Sequence, residues 1–216
     1  MLTVHTADLL LAGEGSAPVP GGAVAVDGGR VVALGPLPEV SGACPAARLR
    51  RWPGLLLPGL RQWHGAALLE RTYHPDPREY ELLGDRPLTG AALAALPMTE
   101  TRWAGSARRG LQRMLGQGTV AVAGPFTDPV VRTAVARSGL TVLTVLPVSA
   151  PPPGEPDLDP LRGAAVLADA LAAPLSVGRR ADLAVFDVPD EAGLLATGAG
   201  SCVATVLGGR LLHRRA

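Results

Sequence analysis

The stretch from Thr119 to Val148 leaves this chain the fewest choices. TVAVAG (Thr119 to Gly124) is an apolar run of strand length. Asp128-Pro129 then supplies an N-cap and a proline at the first helical position, Val130, Val131, Ala134 and Val135 recur at helical spacing, and Gly139 stops the helix. LTVLTVLPV (Leu140 to Val148) follows as a second buried strand. Strand, helix and strand within roughly thirty residues make a βαβ unit, predicted to be a parallel, right-handed crossover.

The flanks read differently. Residues 1 to about 57 alternate short apolar runs with glycine-rich turns, and Asp27-Gly28-Gly29 between two apolar runs is hairpin chemistry, since glycine tolerates positive φ. A second hairpin is predicted about Gly208-Gly209, after a strand in GRRADLAVFDV. Between the β ends, Trp103, Ala107, Leu111 and Met114/Leu115 recur every three to four residues, which predicts an amphipathic helix from Thr99 to Gly116 or Gly118. TYHPDPREYE (Thr72 to Glu81) reads as a helix started by proline with acidic residues in its first turns, in preference to an acid/base cluster of His74, Asp76, Glu79 and Glu81. Six prolines between Pro147 and Pro160 predict an extended connection, and a short helix is expected from Leu161 to Ala172. Trp52, Trp63 and Trp103 are expected to fill the core.

The fold class is therefore α/β, α+β overall. Residues 1–57 and 174–216 are expected to meet as one β domain, with residues 58–173 inserted as an α/β segment. All twenty basic residues are Arg, and Lys, Ile and Asn are absent, which points to a high-GC coding sequence. With nineteen acids against them and few aromatic residues, no basic stripe or stacking platform for nucleic acid is expected. No apolar run reaches membrane-span length and the N-terminus has no basic leader, so a cytoplasmic protein is expected. Cys44 and Cys202 lie far apart and in no Cys-x-x-Cys or Cys/His cluster, in keeping with a reducing compartment; one bridge between them stays open. No Gly-x-Ser-x-Gly elbow or phosphate-cradling glycine loop is present.

LLLPGLRQWHGAALLE (Leu55 to Glu70) reads like the approach to a metal site: an apolar run, Pro58-Gly59-Leu60, then His64, with Ala66 where a second imidazole would face the same way. Together with MLGQGTVAV (Met114 to Val122), GRRADLAVFD (Gly178 to Asp187) and ATVLGGRLLHR near the C-terminus, it resembles the amidohydrolase superfamily, and more narrowly its imidazolonepropionase-like and cyclic-amidine deaminase members. The resemblance implies that residues 1–57 and 174–216 form a composite β-sandwich and that residues 58–173 are an inserted, truncated (β/α) barrel-like segment in place of the family's metal-bearing (β/α)8 barrel. The metal there is held by a His-x-His pair, a carbamylated Lys or a Glu, further histidines and an Asp, because activating water takes several fixed donors around an open position.

Of that set only His64 carries over. Ala66 replaces the second histidine, no Lys exists, and His5, His74 and His213 fall elsewhere in the chain. The residues from Pro58 to Ala173 are also fewer than half of the roughly 250 that a complete barrel takes, enough for about three strand-helix units. No metal and no cofactor are therefore expected. The reading is a non-catalytic homologue that binds a small ligand or a protein partner, with His64, Trp63, Gln62 and Arg61 lining any surviving pocket at the C-terminal ends of the parallel strands. His64 itself reads more plainly as a partly buried histidine bonded to backbone than as a ligand. Asp128 reads as a cap before a catalytic carboxylate, and Asp182 as a turn or sandwich hydrogen bond. A homodimer or partner covering the open sheet edge is expected. The alternative is a hydrolase or deaminase of cyclic amides or amidines whose site is completed by another subunit.

Overall fold

The computed structural model describes residues 1–144 and 157–215. In chain order its strands are β1 (Thr3–Thr6), β2 (Leu9–Leu10), β3 (Val19–Pro20), β4 (Gly22–Asp27), β5 (Arg30–Pro36), β6 (Arg48–Arg51), β7 (Leu55–Pro58), β8 (Leu60–Gln62), β9 (Thr119–Ala123), β10 (Thr141–Leu143), β11 (Leu183–Phe186), β12 (Cys202–Leu207) and β13 (Arg210–Arg214). The helices are α1 (Leu37–Ala43), α2 (Gly65–Glu70), α3 (Tyr80–Leu83), α4 (Gly90–Ala94), α5 (Glu100–Leu115), α6 (Pro129–Ser138) and α7 (Glu191–Thr197). Two compact units result. One comprises Met1–Arg61, Leu115–Val120 and Asp159–Ala216; the other comprises Gln62–Met114 and Ala121–Leu158.

In the first unit, strands from the two ends of the chain join. One sheet has the order β5-β4-β1-β6; the other, β13-β12-β11-β7-β2-β3, pairs β11 antiparallel to β7, with Phe186 opposite Leu55 and Leu183 opposite Pro58. Period-two alternation decides which side chain goes where. Leu56, Leu183 and Val185 point into a core shared with Val24, Val26 and Val31 of the first sheet, which makes the sandwich. Leu55, Leu57, Ala184 and Phe186 point to the opposite face, under Leu161, Leu167, Ala170 and Leu194. With both faces covered, the strand reads as the unbroken run LLL rather than an alternating one. The outer face of the four-stranded sheet is covered by α1, which sets Val40 against Val4, Ala23 and Ala25.

Both predicted hairpins form, with Gly28, Gly29, Gly208 and Gly209 all at positive φ. Asp182 accepts from the Gly208 amide at 2.6 Å and pairs with Arg180, which is the sandwich role its position suggested. The predicted helix over 161–172 does not form; a single 3-10 turn, Leu167–Asp169, stands there. Gly163 takes φ +79°, and the Ala172 amide, which a helix would direct to the Ala168 carbonyl, donates instead to the Gly59 carbonyl at 2.9 Å. Cys44 and Cys202 are both free thiols.

In the second unit the βαβ reading holds as far as the described residues reach. Strands β9 and β10 pair in parallel, with Ala121, Val122 and Ala123 opposite Thr141, Val142 and Leu143. Between them α6 is capped by Asp128, whose Oδ1 accepts from the amides of Val130 and Val131 at 2.8 and 3.0 Å, and Gly139 closes it in the left-handed conformation. The predicted strand beyond 144 and most of the proline-rich connection lie outside the described residues. The third sheet has the order β10-β9-β8, and among the described residues no closed barrel exists. The expected helix at 99–118 is α5, and α7, which sequence reasoning left out, is capped by Asp190. The tryptophans do not fill the core: Trp52, Trp63 and Trp103 are all half-buried, and the large fully buried side chains are Tyr73, Phe186, Met114 and leucines.

Candidate functional site

The chain turns from strand to helix within two residues of Gln62. Strand β8 ends there, and α2 begins at Gly65 with His64 as its N-cap residue. Gly65 has no room for a side chain, because a Cβ would lie 2.8 Å from the Ala123 carbonyl oxygen. The early helix start overturns the expectation that residues 64 and 66 share a strand face. Ala66 lies inside α2, and on a helix two residues are separated by about 200° of rotation. A histidine at position 66 would not converge with His64 in this backbone.

The four expected pocket residues divide by what they touch. The Arg61 guanidinium donates to the carbonyls of Asp169 and Ala168 at 3.0 and 3.2 Å. Gln62, 2% exposed, donates through Nε2 to the Leu158 carbonyl at 3.2 Å and accepts the His64 amide on Oε1 at 3.0 Å. Gln62 and His64 are thus brought together, with the glutamine acting as a clamp on the loop. Trp63 is half-buried, and so is the His64 ring. Burial holds the His64 imidazole below its ordinary pKa, so it is neutral at pH 7.

A second clamp lies at the end of β9, and sequence reasoning missed it. Glu70, the last residue of α2, accepts from the backbone amide of Asp128 at 2.8 Å and from the Thr127 amide and hydroxyl. A cluster of amides before a helix is a natural anion seat, and here the chain's own carboxylate takes it. A glutamate closing an apolar helix was the only local signal. Glu70→Ala is expected to destabilise the fold by about 1–3 kcal/mol, since two amides lose a charged acceptor; urea unfolding checks this, with Glu70→Gln retaining part of the loss because its amide oxygen can still accept.

TYHPDPREYE forms a structural clasp. Asp76 and Glu79 make a capping box around a 3-10 turn, Pro77–Glu79, that runs into α3. Arg109 pairs with Asp76 at 3.0 Å, Arg102 pairs with Glu79 at 2.8 Å, and both guanidiniums lie over the Tyr73 ring. The Tyr73 hydroxyl, with Arg102 behind it, holds the Glu79 carboxyl below its usual range, so Glu79 is not poised as an acid. His74 is fully buried, and its Nε2 donates to the Leu68 carbonyl at 2.9 Å.

The metal that the family resemblance implies does not fit these donors. His64 has an alanine two residues on, and among the described residues no three His, Cys, Asp or Glu side chains gather to hold a cation. Among the described residues no helix is long and apolar enough to cross a membrane.

No family model matches the chain, and no curated protein matches it. Solved structures do. An adenosine deaminase from Xanthomonas campestris with bound zinc is 20% identical, with a TM-score of 0.43 over 65% of this chain and 33% of that one. The guanine deaminase of E. coli is 16% identical, with a TM-score of 0.43 over 66% and 35%. Ochratoxinase from A. niger is 19% identical, with a TM-score of 0.42 over 65% and 30%. This chain therefore spans about a third of the length of the structures it matches.

Proposed function

We propose that this chain is a barrel-truncated relative of the amidohydrolase superfamily that works by binding a small ligand or a protein partner, without metal-assisted hydrolysis. One observation carries the reading: the loops that follow β8 and β9 are tied off by the chain's own Gln62 and Glu70, and among the described residues His64 stands there as a single neutral imidazole without companion donors. Activating water needs a cation held by several ligands, and a lone imidazole supplies one. Any pocket near His64 would be lined by Trp63 and Gln62, with Arg61 bracing the strand through the 168–169 carbonyls. Among the described residues β10 is an edge strand, and Val142 on it is 46% exposed, which supports a second chain or partner there.

The test uses the purified full chain. After incubation with Zn²⁺ or Fe²⁺ and dialysis, elemental analysis is expected to find far less than one metal per chain, with no difference between wild type and His64→Ala. Light scattering on the same sample is expected to give a mass above the 22.1 kDa of one chain. One tightly held divalent ion per chain that is lost in His64→Ala, with turnover of a cyclic amide or amidine abolished by chelation, would overturn the proposal in favour of an enzyme completed by another subunit.

A further inference from the structure

Away from His64, the second unit carries a cleft of about 510 Å³ where α4, the start of α5 and the start of α6 meet. That is within the range of small-molecule sites, roughly 300–1,000 Å³. Leu96, Met98, Trp103 and Val130 give it apolar walls, and Glu100 and Asp128 are its charged members. No arginine lines it. Arg102, next to Trp103, is engaged by Glu79, Tyr73 and the Pro97 carbonyl, while Arg132 donates to the carbonyls of Phe126 and Thr127.

The charge at this place can be weighed. Two helices of 16 and 10 residues begin here, and each N-terminus contributes about half a positive charge. Two carboxylates contribute two negative charges. About one negative charge is left over, beside the half-buried indole of Trp103, whose face attracts cations. Capping consumes Oδ1 of Asp128, but a carboxylate offers a second oxygen for a donor from outside.

We propose that this cleft binds a small organic monocation: a primary ammonium or guanidinium carried on an apolar, preferably aromatic, body. The body packs against Leu96, Met98 and Trp103, and the cationic head sits between Glu100 and Asp128. An anion of the same shape is excluded by the surplus negative charge, and a fully apolar ligand leaves the carboxylates facing its surface. The site does not depend on His64, so it goes beyond the function proposed above and stands or falls separately.

The test is calorimetric titration of the full chain with 2-phenylethylammonium, and with 3-phenylpropionate as the anionic counterpart. Saturable binding of the ammonium and none of the carboxylate is expected. Glu100→Gln and Asp128→Asn, the latter chosen because asparagine also caps helices, should each weaken binding about two- to fivefold, as expected for a partly exposed charge pair. Trp103→Leu should weaken it by a similar factor. His64→Ala should leave it unchanged, which separates this site from the earlier proposal. Absence of saturable binding, equal binding of the two probes, or binding indifferent to all three cleft variants would overturn the inference; the comparison of the two probes on wild-type protein decides it even where a variant folds poorly.

Discussion

Lowering the pH from 7 to about 4 should cost the protein several kcal/mol of stability, through two buried histidines. His5, in the middle of β1 and 2% exposed, accepts a hydrogen bond on Nδ1 from the Trp52 indole at 3.1 Å, the two rings lying parallel. Burial, and then the nearby Arg50, lower its pKa to about 4. His74 carries its proton on Nε2, facing the Leu68 carbonyl, and its Nδ1 is buried with no partner among the described residues. Its pKa is likewise lowered to about 4, mainly by burial; the Leu68 hydrogen bond opposes the shift, and Arg113 and Arg109 add to it.

In the unfolded chain both rings titrate near 6.5. Between pH 6.5 and about 4 the unfolded state therefore binds protons that the folded state refuses, and unfolding becomes easier as pH falls. The contribution is fully present above pH 6.5 and is lost on the way down to about pH 4, at about 3 kcal/mol for each histidine. Two such losses are comparable with a whole folding free energy of about 5–15 kcal/mol. Asp182 works in the opposite sense, since burial raises its carboxyl pKa, but its hydrogen bond from Gly208 and the Arg180 charge hold that effect down. Urea midpoints at pH 7.5 and 4.5 measure the slope. His5→Gln and His74→Gln should each flatten it, in separate units of the structure, and a flat profile for the wild-type chain would refute the account.

What could be read from sequence was whatever is local. Asp128, Pro129 and Gly139 bound α6 because capping and the left-handed stop act within four residues. Gly28-Gly29 and Gly208-Gly209 mark their hairpins for the same reason. The segment 161–172 failed because its alanines and leucines favour a helix only while nothing else claims its backbone; the Gly59 carbonyl claims the Ala172 amide, and Asp159 pins the segment's start by accepting from Leu161 and, forty residues on, from Ala199. The tryptophans failed through the opposite assumption, that size means burial. Trp52 and Trp103 each lie at a surface, one capping a histidine and one lining a cleft.

The candidate site was legible to a similar depth. His64 and Gln62 do meet, but the pairing of positions 64 and 66 presumed a strand that ends at Gln62. Glu70 was invisible because its partners, Thr127 and Asp128, lie 57 and 58 residues away, and no periodicity links them. The cleft between α4, α5 and α6 could not be foreseen from residue types alone, since Glu100 and Asp128 already had sufficient local reasons to be acidic at helix starts.

Gly54→Ala should be among the most damaging single substitutions in the chain, at about 4 kcal/mol or more. Gly54 sits at φ +68°, a conformation that costs a residue with a Cβ about 1–2 kcal/mol. Steric collision costs more. A Cβ there would lie 2.3 Å from the Phe186 carbonyl oxygen, 2.7 Å from that of Val188 and 2.8 Å from the Val188 amide, all backbone atoms that cannot rotate away. Relief would require β11 to move from β7, against the Phe186–Leu55 pairing and the core around Phe186, and forcing atoms into a packed interior costs about 1–3 kcal/mol even where side chains can yield. The same residue also holds β2, through its amide to Asp8 at 2.7 Å and its carbonyl to the Leu9 amide at 3.0 Å. Gly28→Ala is the matched control: φ is +53° and nothing lies within 4 Å of the added carbon, so only the conformational cost of about 1–2 kcal/mol remains. Thermal or urea unfolding of the two variants separates strain from collision, and equal losses would show that β2, β7 and β11 do not approach one another at Gly54 as closely as the structure has them.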